Sequence, residues 1–598
     1  MVIRINYLLS SLSLAIFLSA CGGSGSSDIT TTDDTAINND QDISNPVLET
    51  PVDSNPVTPA LPEEVEIEEE TDNSTITVSE TSQHDFKSDH FSGSDNCTQC
   101  HDGLTDQTGE DISIVNAWKT TMMANSARDP FWKAKVASEV VRNPELSDEI
   151  ESKCARCHMP MAHVEATFKN EATTMFDNGF LSPDNPHFNQ AAEGVSCTLC
   201  HQIENTAEFG TDAATSGKFV IADNTADPKL YGPIANPIQG PMINNTGFTP
   251  VESSHVSDSA LCGSCHDVKT PIVDTSGNLT TNEFPEQMIY SEWQNSDFAK
   301  SGSEESCQSC HMPLVSGKAK IASRPGFVEA RDHFSKHQFV GANTVMLDIL
   351  QNNATVLGLS VNDFSNTIDL TKEMLKSSTE IAIENLQHEN QQLSFNVRLK
   401  NKTGHKFPSG FPSRRAWLHI QVLNSNGTLV YESGAINELG QIAGVDSDID
   451  NSTKLNYEKH HDIISTADQV QVYESIMVNT DNTVNYTLLN SAGYIKDNRL
   501  LPEGMDKNNI PVEIGVYGDA IADENFTAAE DTVTYQLANI PPDSYTVNVT
   551  LNYQSISYRF ATDLFRDKSA HSLVNDFKLM YDKARFRYEK VSSTEASL

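Results

Sequence analysis

Four textures of apolar and polar residues follow one another along the chain. A short apolar run, Leu8–Leu18, follows Arg4 and ends at Leu18-Ser19-Ala20-Cys21. It is too short to span a bilayer comfortably, and residues 1–20 read as a secretory leader. From 22 to 83 the chain is dominated by Ser, Thr, Asp, Asn, Pro and Glu. Such a stretch buries too little apolar surface to offset chain entropy, so 21–84 is expected to be a disordered, extended tether. The third texture, 85–344, is punctuated by cysteine pairs. From about 345 the pattern changes to period two, at Gln392–Lys400, Trp417–Leu423 and Tyr545–Tyr553. Turns such as Asn424-Ser-Asn-Gly427 and Pro541-Pro-Asp543 separate these strands, which predicts an antiparallel β-sandwich, immunoglobulin-like in style. Near the end, 570–591 predicts an amphipathic helix carrying Leu573, Phe577, Met580 and Tyr581 on one face.

Charge narrows the function classes. The 598 residues hold 40 Lys+Arg against 83 Asp+Glu, a formal net charge of −43. That excludes nucleic-acid binding through a basic surface and charge-driven adhesion to anionic lipid, and it favours basic protein partners. Fifteen of the acidic residues lie in 22–83, which has no Lys or Arg, so the folded part is less extreme than the total. The cysteine count, 11, is odd and rules out a framework that uses all of them as disulfides. Cys21, with Gly22-Gly23-Ser24-Gly25 behind it, looks like the lipidated residue of a bacterial lipoprotein. Gly22 at the next position resembles an outer-membrane sorting signal, with the protein exported and held on the periplasmic side or the cell surface. A signal peptide cleaved elsewhere, or an uncleaved anchor, is the alternative.

The other ten cysteines form five identical patterns: Cys97-Thr-Gln-Cys100-His101, Cys154-Ala-Arg-Cys157-His158, Cys197-Thr-Leu-Cys200-His201, Cys262-Gly-Ser-Cys265-His266 and Cys307-Gln-Ser-Cys310-His311. CxxCH is the pattern of c-type haem attachment. Two thiols must reach the two vinyl groups on one haem edge while the next residue turns its imidazole under the iron. Zinc or thioredoxin-like chemistry explains a bare CxxC but not a histidine after every second cysteine. Five covalent c-type haems are therefore expected, with His101, His158, His201, His266 and His311 as proximal ligands. So little polypeptide per large apolar cofactor implies that the cofactors form much of the core, with short helices and loops around them.

The sixth position on each iron decides between closed electron carriers and open, reactive sites. The distal candidates are His90, His163, His255, His337 and His405. His405 lies in Thr403-Gly404-His405-Lys406-Phe407-Pro408-Ser409-Gly410, where Pro and Gly favour a rigid loop. His84, His187, His333, His460 and His461 are weaker candidates; His388, His419 and His571 look structural. Met122 and Met123 follow Trp118 and are alternative sulfur ligands, although methionines on helices more often fill core gaps. Trp118, Trp132 and Trp293 are expected to pack on the cofactors.

These segments resemble the bacterial multihaem c-type cytochromes whose C-terminal β-rich domain carries a TGHKFP-type loop. The resemblance runs through Glu193–His201, Phe284–Gln287, Glu292-Trp293, Cys307–Pro313, Thr403–Gly410, Gln469–Glu474 and Lys496–Gly504, and spans about 85–590. It implies periplasmic or cell-surface electron transfer and kinship with the tetrahaem cytochromes of the hydroxylamine oxidoreductase pathway. In that pattern Trp-x-x-x-x-His supplies a distal ligand; here Met123 stands at the corresponding place after Trp118, which leaves the first haem's ligand open. The expected architecture is a pentahaem domain at 85–344, mostly α and irregular, followed at 345–598 by a β-sandwich-like domain with a C-terminal helix. The leading function is a lipid-anchored electron carrier between periplasmic or membrane donors and an outer-membrane or extracellular acceptor, with redox proteins as partners. An oxidoreductase acting on a small nitrogen or sulfur substrate at an open haem is the alternative, without the CxxCK motif typical of pentahaem nitrite reductases.

Overall fold

Alternation along the strands builds the second half of the protein. In the computed structural model, which describes residues 83–300, 302, 305–449 and 456–598, ten strands form two sheets there. They are β1 (Thr379–Glu389), β2 (Gln392–Asn401), β3 (Arg415–Asn424), β4 (Leu429–Ser433), β5 (Ile463–Ile464), β6 (Val472–Val478), β7 (Gly493–Asp497), β8 (Glu530–Leu537), β9 (Tyr545–Gln554) and β10 (Glu589–Ser597). One sheet runs β1-β2-β8-β5; the other runs β7-β6-β3-β9-β10, with β4 also paired to β3. Every second residue of β2 (Leu393, Phe395, Val397, Leu399) meets the inward residues of β3 (Leu418, Ile420, Val422) and β9 (Val547, Val549, Leu551) in one core. Register keeps the pattern coherent: Val397 stands opposite Val533, and Leu551 opposite Leu418. A one-residue slip would turn all these side chains outward. The pairing differs from the all-antiparallel expectation at one edge, where β5 runs parallel to β8.

The chain also departs from the expected ending. The helix near the C-terminus covers Ser572–Asp582 only, and the last element is the strand β10 on the edge of β9. Three residues past its end, the Arg585 backbone N–H and guanidinium are held by buried Asp348 at 2.8 and 2.7 Å, where the chain has left the helix. β10 buries Val591 alone and leaves a polar outer row, so its apolar signal is faint.

The 345–598 segment opens with two helices, Thr344–Asn352 and Ser365–Ser377, rather than strands. Their apolar faces share a core with Ala134 and Ala137 of the helix Pro130–Arg142 and with Val574, Phe577 and Met580 near the C-terminus. Arg142 fixes that contact by binding Asp563 and Asp567 at 2.7 and 2.8 Å. Residue 345 is thus no packing boundary, and the described residues belong to one packing unit. The first half is made of short helices and two small two-stranded sheets. No helix among the described residues is long and apolar enough to cross a membrane. The leader, Cys21 and the acidic stretch through residue 82 lie outside the described residues.

Candidate functional site

Each CxxCH motif lies in or at the end of a short helix: Asp95–His101, Ser147–His158, Cys197–Cys200, Ser259–His266 and Cys307–His311. Helical spacing places the two cysteines, three apart, on one face, with the histidine one turn beyond the first cysteine. All ten cysteines and all five motif histidines line one connected, largely apolar cavity of about 1080 Å³. None of the ten is in a disulfide. An apolar cavity lined by five matched sets of two thiols and one imidazole is the donor set that c-type haem requires.

Side-chain contacts give the motifs an order in space. The thiol of Cys97 sits against that of Cys197, Cys157 against Cys265, and Cys262 against Cys307; these contacts, followed by burial, push Cys97, Cys265 and Cys262 up. Cys200 also lies near both Cys262 and Cys265. The imidazoles repeat the same neighbours, with His101 beside His201, His158 beside His266, and His266 beside His311. The first motif therefore meets the third, and the third lies near the fourth. The second and fifth both branch from the fourth.

Three motif imidazoles commit Nδ1 firmly to a backbone carbonyl: His101 to Ile321 at 2.8 Å, His201 to Tyr231 at 2.6 Å and His311 to Val340 at 2.6 Å. His158 does so more loosely, to Ser126 at 3.4 Å, and is stacked on Trp132 with ring centres 4.3 Å apart and planes 5° apart. Such a bond fixes the tautomer and leaves Nε2 as the ligand nitrogen. Burial holds His158 and His266 down to about 4, which keeps them neutral and ready to bind a metal.

Two further histidines repeat this device. His337 gives Nδ1 to Ser335 O at 3.0 Å and His405 to Lys406 O at 2.9 Å; both line the cavity, and burial holds both down to about 4. The ring centres of His201 and His337 are 6.4 Å apart, and those of His311 and His405 are 6.5 Å apart, with interplanar angles of 24° and 16°. Two imidazoles bound through Nε2 on opposite sides of one metal ion, each bond about 2.0 Å, put their ring centres roughly 6–6.5 Å apart. Both ring separations are of that size.

The other three distal candidates, His90, His163 and His255, meet other polar partners. His90 spends Nδ1 on Glu165 at 3.3 Å and Nε2 on Asp223 at 3.0 Å. His255 spends its nitrogens on Ser253 Oγ and Ile203 O, at 2.7 and 2.8 Å. His163 sits buried beside Ser152 Oγ, which its Nε2 meets at 3.2 Å. None of the three lines the cavity. Closeness to a motif in sequence does not by itself turn a ring toward the cavity: here carboxylates hold His90, a hydroxyl and a carbonyl hold His255, and a hydroxyl meets His163. His84 and His187 pair with Glu193 and Glu171. In the sandwich, His460 pairs with Asp523 at 2.9 Å and His461 with Glu458 at 2.6 Å.

Among the described residues the cavity is lined by the five motif histidines, His337, His405 and an exposed His333. Three additional histidines serve at most three irons. Met122, Met123, Met242, Met312 and Met374 also line the cavity, as do Trp118, Trp132 and Trp293.

The loop that presents His405 is clamped. Asn401 Nδ2 and Thr403 Oγ1 donate to the His405 carbonyl at 2.9 and 2.7 Å. Lys406 donates its backbone N–H to Glu292 at 3.1 Å, and its Nζ to Asp497 at 2.8 Å and the Gly515 carbonyl at 2.7 Å. Arg499 completes a buried quartet, chelating Asp497 at 2.9 and 2.7 Å and lying 2.9 Å from Glu292 Oε1, off the hydrogen-bonding direction. Burial opposes ionisation of Asp497, but Arg499 and Lys406 hold its carboxyl down at about 2. The sequence signal for this clamp was available in Lys496–Gly504 and Glu292, which stood out only as matching segments.

No family model matches the chain, and no curated protein does. Among solved structures, a penta-heme cytochrome c552 from Thermochromatium tepidum aligns with 86% of this chain and 100% of its own, at 14% identity and a TM-score of 0.45. A likeness that remote carries no inference about this chain.

Proposed function

We propose that this protein is a pentahaem c-type cytochrome that moves electrons, one at a time, along a branched array. The observation that carries it is the single cavity lined by all five CxxCH motifs, with His337 and His405 set across from His201 and His311 at metal-bridging separations. When bound, each haem supplies a reversible one-electron change at iron. The chain's own part is to fix the thiols that tether each group, keep the imidazoles neutral, and hold motifs one, three and four in sequence, with two and five as branches. Export and a lipid anchor at Cys21, from the outer membrane to a periplasmic or surface position, complete the reading; they rest on the Leu18–Gly25 pattern. The partners would be redox proteins with basic surfaces, and no nucleic acid.

A second reading has one observation in its favour. With three additional cavity histidines for five irons, at least two sixth positions take methionine, another group, or none. An empty one would bind a small nitrogen or sulfur substrate. The test is the mass of the haem-loaded chain together with its paramagnetic resonance spectrum. Five haems that are low-spin and unaffected by nitrite or carbon monoxide support the pure carrier. A high-spin signal that shifts with nitrite supports the oxidoreductase. Fewer than five attached haems would overturn the pentahaem proposal.

A further inference from the structure

Arg414 and Arg415 stand next to each other where β3 begins, and they meet opposite fates. Arg415 is buried in the sandwich and chelates Asp448 at 2.9 and 2.7 Å. Arg414 lines the cavity instead, and none of the ion pairs among the described residues includes it. One edge of its guanidinium is held: Nη1 donates to Ser409 O at 2.8 Å and to Ser409 Oγ at 3.1 Å. The loop closes tightly over that edge. A Cβ on Gly410 would come 2.9 Å from Ile289 Cδ1, and 3.4 Å from both Arg414 Nη1 and Gln287 Oε1. Arg414 thus sits between two motifs: Ser409 belongs to the loop that presents His405, which faces the fifth, and Gln287 lies next to Met288, which pairs with Asp267, the residue after His266 of the fourth.

A fixed guanidinium facing a largely apolar cavity, with no carboxylate among the described residues paired to it, calls for an anion. We propose that Arg414 is a cofactor-binding residue whose free edge receives a haem propionate between the fourth and fifth motifs. The inference rests on the pentahaem reading. A carboxylate and a small free oxyanion share the chemistry that a guanidinium fork recognises, and the experiment separates them.

The haem-loaded full chain would be compared with R414Q and R414K. Haem count by mass comes first, so that a failed prediction for Arg414 is not mistaken for failure of the haem array. In a potentiometric titration, R414Q is expected to shift one or two of the haems to lower potential, since losing a nearby cation favours ferric iron. R414K should recover part of the shift, because it keeps the charge and loses the planar fork. Loss of a haem in R414Q that R414K restores supports the proposal equally. Unchanged potentials at full haem content overturn it. So does a Soret change with nitrite in the parent that disappears in R414Q, which would assign the guanidinium to a free oxyanion.

Discussion

An imidazole serves an iron only when the protein occupies one ring nitrogen and leaves the other bare toward the metal. His337 and His405 meet that condition, while His90 and His255 have both nitrogens engaged. H405A is expected to leave five haems attached and convert one from low-spin to high-spin, visible in the resonance spectrum. H405M should keep that haem low-spin and raise its potential, because a thioether stabilises ferrous iron relative to imidazole. H90A and H255A should leave every haem signal in place; a lost low-spin signal in either would overturn their exclusion. The motif residues were legible because covalent attachment dictates their spacing. The partners across the cavity were not, since nothing in a single sequence shows that Glu165 and Asp223 flank His90. His337 and His405 were both among the sequence candidates, and only His405 had a local signal, the Pro and Gly that mark a rigid loop.

At the scale of elements, the loop 403–410 belongs to the sandwich yet places a histidine in a cavity built by the first half. The buried quartet of Lys406, Asp497, Arg499 and Glu292 joins them. Breaking a buried ion pair by removing one partner costs about 3–5 kcal/mol. E292Q should therefore lower the denaturation midpoint of the haem-loaded chain, and pairing it with R499M should recover part of the loss in a double-mutant cycle. Additive losses would mean that the two residues do not act together. Acid gives an independent check. Asp497 is held at about 2, below its ordinary 3.8, so its contribution is present above about pH 4 and disappears as pH falls from about 4 toward 2. The contribution is roughly 2 kcal/mol, and D497N should flatten that part of the stability profile. The strands were legible where inward positions alternate, as in β2 and β9. β10 was not, because a row of polar residues around Val591 has no apolar period, and its pairing with β9 is decided by an available sheet edge.

For the whole molecule, the order of motifs in space differs from their order in sequence, and the difference has a kinetic consequence. The fourth motif touches the second and fifth and lies near the third, so it is the junction of the array. Deleting its attachment thiols, C262S with C265S, removes the one group that connects all three arms. Deleting the second motif's thiols, C154S with C157S, removes only an end. Both variants should retain four haems by mass, which separates a wiring effect from loss of the fold. If electrons are injected by a flash-activated donor, the parent and the C154S/C157S variant should relax to one distribution among their haems in a single fast phase. The C262S/C265S variant should instead show isolated pools: haems attached through motifs one and three equilibrate together, whereas those of motifs two and five fill separately and slowly. The wiring also predicts how charge matters. With a formal net charge of −43, the chain should exchange electrons faster with a basic partner than with an acidic one, and rising salt should erase that preference by screening the encounter. Internal relaxation should not change with salt, because haems held within one cavity need no encounter. If C262S/C265S relaxed in a single phase as fast as the parent, the fourth motif would not be the junction, and the branched order would be wrong.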